Sequence, residues 1–293
     1  MTVSVEAVLN DAAKRASVVM VLGGMDTGKT TYSIRMASAA LEAGRTVAYV
    51  DADIGNTTIG PPACAGLKVL RSRADLDQLE HADLLHFVGH ITPERVVLQQ
   101  VIAASALATE GRRLADLVIV DTTASISGVV GESLKYHKTE LIQPDRIIAL
   151  HRGSELEPVV GMIGRFFSIP IDEVPADPDI APSSPDERAN RRAARMKIAF
   201  EEPLERWRVR PTVFAPTLPV GLDLERLDGV LVGVQDANGR SLGLGHLEHD
   251  GTGLKVVTNA GEGMQGLRLG SLRIDLASYA CRPVNLRELI FGI

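Results

Sequence analysis

The stretch Val18–Thr31, VVMVLGGMDTGKTT, constrains this chain more than any other. An apolar run ends in glycines and opens into a helix-forming segment, so it reads as strand, turn and helix. Gly23, Gly28, Lys29 and Thr30 stand at the spacing of a phosphate-binding loop, G-x-x-x-x-G-K-[ST]. The glycines let backbone N–H groups turn inward around a phosphate chain, and the helix opening near Lys29 adds its positive N-terminal end. Gly23, Gly24, Met25, Asp26, Thr27, Gly28, Lys29, Thr30 and Thr31 are therefore assigned to the phosphates of ATP. Lys29 takes the β and γ phosphates, and the Thr30 hydroxyl takes Mg²⁺.

Short apolar segments recur along the chain at Thr46–Val50, Leu84–Val88, Leu117–Val120, Arg146–Leu150 and Phe166–Ile171. They alternate with helical segments, among them Tyr32–Ala43, capped by Gly44, and Pro93–Leu107. This alternation predicts an α/β fold, a P-loop NTPase parallel sheet with helices on both faces. Ligands in such sheets sit at the C-terminal ends of the strands. Asp51 and Asp53 close one strand there, and Asp121 closes another. Asp51, nearest the metal expected at Thr30, is assigned to Mg²⁺ together with Asp121, a Walker-B carboxylate. Asp53, further out, is assigned to the acceptor hydroxyl. The plainer alternative for each is a strand-end carboxylate that caps a turn.

A formal net charge of −6 excludes a chain coated in nucleic-acid-binding charge, yet leaves room for a local basic channel. One candidate exists. After a proline-rich loop over Glu173–Pro185, the segment Arg188–Phe200 carries Arg188, Arg191, Arg192, Arg195 and Lys197 and no acid. Arg188, Arg192 and Arg195 share a helix face, which could close over phosphates as a lid. Beyond Pro203 the pattern turns to alternating strands around Asn238-Gly239, a hairpin signal. The expected units are thus residues 1–202, with a lid helix at about 184–200, and a β-rich region, 203–293. No apolar run is long enough to span a membrane. The N-terminus reads as a short amphipathic helix through Val5, Val8, Leu9 and Ala12 rather than a secretory signal. Cys64 and Cys281 fit no metal spacing and read as reduced thiols of a cytoplasmic protein. His86 and His90 lie on strand and loop, which opposes a zinc site; His90 could touch a phosphate or simply be an exposed loop residue.

GGMDTGKTT, VAYVDADIGNTTIGPP, FVGHITP, IVDTTASISG and ELIQPDRIIAL together resemble the polynucleotide 5′-hydroxyl kinase family, which includes the kinase subunit of the pre-mRNA cleavage factor and its archaeal-type relatives. SPDERANRRAARMKIAF is similar to that family's lid helix, and VGVQDANGRSLGLGHLEH with GLRLGSLRID to its C-terminal domain. The resemblance implies transfer of the ATP γ-phosphate to a 5′-hydroxyl end of RNA or DNA, with RNA-processing proteins as partners. It implies catalytic roles for Lys29, for Asp53 as general base, and for lid residues Arg188 and Arg192. It also implies acceptor contacts at Thr122 and Thr123, where the family carries a T-x-G-W clasp, with Arg195 on the polynucleotide. The short N-terminus resembles archaeal-type members. Three departures stand out: Ala124 and Ser125 replace the clasp's glycine and tryptophan, Asn56 replaces a glutamine, and Ser183 replaces an arginine before the lid. The alternatives are a non-catalytic ATP-binding subunit and a small-molecule kinase.

Overall fold

The computed structural model describes residues 4–291; residues 1–3 and 292–293 of the expected units lie outside it. In chain order the first half runs α1 (Val5–Arg15), β1 (Val18–Gly23), α2 (Lys29–Glu42), β2 (Val47–Ala52), β3 (Cys64–Leu70) and β4 (Leu84–Phe87). It continues with α3 (Val97–Leu114), β5 (Leu117–Thr122), α4 (Gly128–Ile142), β6 (Arg146–His151), α5 (Glu157–Phe166), β7 (Ile171–Pro175) and α6 (Pro185–Ala199). The second half is β8 (Glu205–Val209), β9 (Val230–Gln235), β10 (Ser241–His249), β11 (Leu254–Thr258), β12 (Gly266–Ile274), β13 (Cys281–Pro283) and α7 (Leu286–Phe291).

Five strands, in the order β2-β5-β1-β6-β7, are parallel. Their residues alternate between two helical layers, as the pleat requires. Val19 and Val21 pack with Val8, Leu9, Tyr32 and Met36 of α1 and α2, whereas Met20 and Leu22 pack with Ala104, Leu107 and Ile163 of α3 and α5. Both faces are dry, which explains why these strands read as unbroken apolar runs.

The structure departs from the sequence reading at two places. Phe166–Ile171 is not a strand: α5 runs to Phe166, and the edge strand begins only at Ile171, after Pro170 accepts a bond from Ile147 N at 2.9 Å. Val159 and Ile163, one helical turn apart and fully buried, are what make this segment helical. β3 was not anticipated. It pairs antiparallel with both β2 and β4, so this edge of the sheet is mixed.

Residues 203 onward, expected as a β-rich region, supply β8–β13 and continue the same sheet. The junction is the pair Ser241–Leu85, reinforced by Phe87 N donating to Ser241 Oγ at 3.0 Å. Phe87 is inserted against Gly233, where an added Cβ would stand 2.4 Å from its ring. Around it gathers a core of Cys64, Leu231, Leu244, Leu272 and Ile274, joined by Met196 and Phe200 from the C-terminal end of α6. The other end of α6 opens with a capping box: Ser184 Oγ accepts from Glu187 N at 3.1 Å, and Glu187 accepts from Ser184 N at 2.7 Å. This helix is therefore rooted in the second half and reaches over the first.

Candidate active site

β1 delivers the chain to the phosphate loop, and its glycines are sterically required. A Cβ on Gly23 would lie 2.5 Å from Thr27 Oγ1 and 2.9 Å from Leu150 O. Gly28 sits at φ 82°, a left-handed conformation that suits glycine, and directly precedes α2. Thr27 Oγ1 and Lys29 Nζ both donate to Gly24 O, at 3.0 and 2.6 Å. The ammonium is buried, and burial lowers its pKa while Asp121, Asp53 and Asp26 oppose the shift. Three nearby carboxylates thus offset the cost of holding a desolvated cation at the floor of the loop.

The parallel register sets Asp121 beside both Val21 and Asp51. Thr30 Oγ1 donates to Asp121 Oδ2 at 2.6 Å and Tyr49 OH to the same oxygen at 3.1 Å, while Asp121 Oδ1 is buried without a partner. Burial raises the Asp121 pKa, and Lys29 is the largest force holding the carboxylate ionised. A buried, unpaired carboxylate oxygen beside a hydroxyl is a donor set that fits a hard divalent cation, which takes few protein oxygens alongside substrate phosphates.

Asp51 is held by backbone amides. Its carboxylate accepts the backbone N–H of Asp53 at 2.9 Å, of Ile59 at 3.0 Å and of Thr58. It anchors the loop Asp53–Ile59. Burial pushes its pKa up, reinforced by the charges of Asp121 and Asp53, and the amide bonds pull it back. Asp53 faces the cavity from this loop: Oδ1 accepts from Gly55 N at 3.0 Å and Asn56 N at 3.1 Å, and no bond to Oδ2 is recorded among the described residues. The loop is tight, since a Cβ on Gly55 would meet Ile91 O at 2.6 Å. His90 is buried rather than exposed; its Nδ1 accepts from Thr92 N at 3.0 Å and shapes the neighbouring turn.

One cavity of about 610 Å³ gathers Lys29, Thr30, Asp53 and Asn56 on one wall, and Arg188, Arg191, Arg192 and Arg195 of α6 on the other. Met25, Asp26, Gly28 and Thr31 line it too. Arg188 donates to Ser183 O and stands 3.8 Å from Asp26, tying the start of α6 to the phosphate loop. Burial lowers the Arg192 pKa, neighbouring Arg188 adds to the shift, and Asp53 opposes it. Thr122 and Thr123 are not on the cavity wall. Both are buried, Thr122 Oγ1 donates to Val21 O at 2.7 Å, and Ala124 is the residue of that turn which reaches the cavity.

Several site residues escaped the sequence reading. Arg152 Nη2 donates to Asp26 O at 2.9 Å and Ile180 O at 3.0 Å, so it links the phosphate loop to the segment before α6. Lys135 and Lys138 lie fully buried on α4. A signal for these two existed: Gly131, Leu134, Lys135, Lys138, Thr139 and Ile142 repeat at helical spacing and form the buried face of α4.

The family model described as mRNA cleavage and polyadenylation factor CLP1 P-loop matches residues 23–202. A polyribonucleotide 5′-hydroxyl-kinase of Pyrococcus furiosus is 28% identical over 336 aligned residues, covering 95% of this chain and 87% of that protein. One from Pyrococcus horikoshii is 38% identical over 151 residues, 50% of this chain and 40% of that protein. Among solved structures, wild-type Clp1p in complex with Pcf11p superposes with a TM-score of 0.68 over 91% of this chain and 77% of the other, at 15% identity, which speaks to the fold alone. With its phosphate loop, Asp121 and arginine helix all inside the matched residues, the chain belongs to the CLP1 P-loop family.

Proposed function

We propose that the protein is an ATP-dependent polynucleotide 5′-hydroxyl kinase, transferring the γ-phosphate to the 5′-OH of RNA or DNA. The observation that carries this reading is the single cavity with the phosphate loop and Asp53 on one side and four arginines on the other. The names of the archaeal relatives support it.

Phosphoryl transfer proceeds through a loose transition state, so positioning and charge neutralisation dominate. Lys29 and the loop amides bind the β and γ phosphates. Thr30 and Asp121 would hold Mg²⁺, which when bound neutralises charge across the phosphate oxygens. Arg188 and Arg192 face the charge that develops on the transferring group. Asp53 orients the 5′-hydroxyl through Oδ2 and takes its proton as the new P–O bond forms. Asp51 fixes the loop that presents Asp53, while Arg191 and Arg195 lie along the path of the polynucleotide backbone.

Both cysteines are free thiols, which suits a reducing, cytoplasmic setting, and no described helix is long and apolar enough to cross a membrane. A protein partner in RNA processing belongs to the same reading, by analogy with the Clp1p–Pcf11p assembly. The test is incubation with γ-labelled ATP, Mg²⁺ and 5′-OH oligonucleotides of RNA and DNA. Label on the oligonucleotide supports the reading. ATP binding without any transfer leaves a nucleotide-binding subunit, and label on small alcohols alone leaves a small-molecule kinase.

A further inference from the structure

α4 buries two lysines one turn apart, and only one of them has partners. Lys135 Nζ donates to Thr123 O at 2.6 Å, to Thr122 Oγ1 at 3.0 Å and, more weakly, to Thr123 Oγ1 at 3.4 Å. Lys138 Nζ is buried with no hydrogen-bond partner. A buried ammonium is costly, and an apolar side chain of similar volume commonly serves a core better. Two such groups on one helix call for an explanation beyond packing.

The turn that Lys135 underlies is the one that leaves β5 directly after Asp121. Thr122 is held from below by Lys135 and in turn holds Val21 O of the strand that feeds the phosphate loop. Ala124, two residues on, stands on the cavity wall across from α6. Lys135 therefore connects three things in a short chain of bonds: the phosphate-loop strand, the Walker-B strand end and the cavity wall. Neither lysine lines the cavity itself, so neither can touch a substrate there. Burial holds both lysines below their usual pKa, with Asp53 and Asp121 among the charges that favour the protonated forms.

We propose that Lys135 is a positioning residue that fixes the Thr122–Ala124 turn as the seat of the acceptor's 5′ end and so aligns the hydroxyl against Asp53. This rests on the polynucleotide kinase reading above. The turn presents Ala124 to the cavity on a backbone immobilised from behind. Lys138 is the second cation of this base and offsets the negative charge of the aspartates beyond it.

The experiment compares wild type with Lys135→Met, which keeps length and removes the donor, and with Thr122→Val, which removes the hydroxyl joining Lys135 to Val21 O and leaves Lys135 with its bonds to Thr123. ATP affinity is read by titration calorimetry, transfer kinetics with a 5′-OH oligonucleotide, and folding by circular dichroism and melting temperature. The expected result for Lys135→Met is a fall of ~10-fold or more in kcat/KM for the acceptor, with ATP Kd within about twofold of wild type. Thr122→Val moves the same way by less. A folded Lys135→Met with unchanged acceptor kinetics overturns the proposal, as does a loss of ATP affinity in step with acceptor kinetics, which marks a merely structural lysine. If Lys135→Met fails to fold, Thr122→Val decides alone, and unchanged acceptor kinetics there overturns it. Absence of transfer by wild type, with ATP binding intact, instead strikes the kinase reading.

Discussion

The two ends of one sheet bury different chemistry. At the β2-β5-β1 end, strand termini carry Lys29, Asp51 and Asp121 out of water, with Lys135 and Lys138 behind them. At the β9–β12 end the interior is hydrocarbon, built from Val230, Val232, Val234, Leu247, Leu254, Val256 and Leu267. Its ion pairs lie at the surface, Arg206–Glu248 at 2.9 Å and Lys255–Asp250 at 2.8 Å. Every buried charged side chain among the described residues comes from the first half of the chain. Burying a charge in an apolar setting is expensive, so charges gather where other charges compensate them. The second half needs none, and it serves as the rigid ground in which α6 is rooted.

This contrast can be broken by substitution, and the largest effect belongs to the charged end. Lys29→Ala should lower transfer by ~10³-fold or more and weaken ATP binding, because the phosphates lose their principal cation; the measurement is labelled-phosphate transfer with a parallel ATP titration. At the apolar end, Phe200→Ala should cost about 3 kcal/mol of stability, seen as a lower denaturant midpoint, and should loosen the lid enough to reduce kcat. Asp53→Asn sharpens the division within the charged end: kcat should fall by ~10²-fold with ATP affinity nearly unchanged, as single-turnover kinetics would report. If Asp51→Asn instead gave this pattern and Asp53→Asn did not, the loop anchor and the base would exchange roles. The smallest effect belongs to Arg206→Ala, an exposed pair whose loss is expected to leave the denaturant midpoint almost unchanged. A clear fall of that midpoint in chemical denaturation would mean that the apolar end depends on charge after all.

The parallel core was legible because its strands are buried on both sides and carry no polar interruption. β3 was hidden because CAGLKVL mixes Gly66 and Lys68 into a strand paired antiparallel on both sides, where neither crossover helix nor hairpin signal marks it. Phosphate-loop spacing fixes the geometry of Lys29 and Thr30 in advance, since a strand, a glycine turn and a helix leave little freedom. Asp51 was harder. Two carboxylates two residues apart look alike in sequence, and both accept backbone amides; the structure separates them because both oxygens of Asp51 do so and only Oδ1 of Asp53 does. The lysines of α4 were read past because lysine on a helix is normally a surface residue, although their spacing matched the apolar face. That β10 would join β4 depends on the meeting of Ser241 with Leu85 and Phe87, residues far apart in the chain, and no local pattern encodes it.

The rooting of α6 also sets an order of events at the ribosome. Met196 and Phe200 pack on Leu231, Leu244, Leu272 and Ile274, all of which are synthesised after the helix itself. The strands that carry the phosphate loop have by then all been made, from β1 through β7. As chains emerge from the N-terminus and fold progressively, the nascent protein acquires a nucleotide cradle before it can anchor the arginines that oppose it. A chain truncated anywhere before residue 274 would carry the loop and keep only Ala63, Cys64 and Phe87, with whichever later residues it had reached, as the apolar footing of α6.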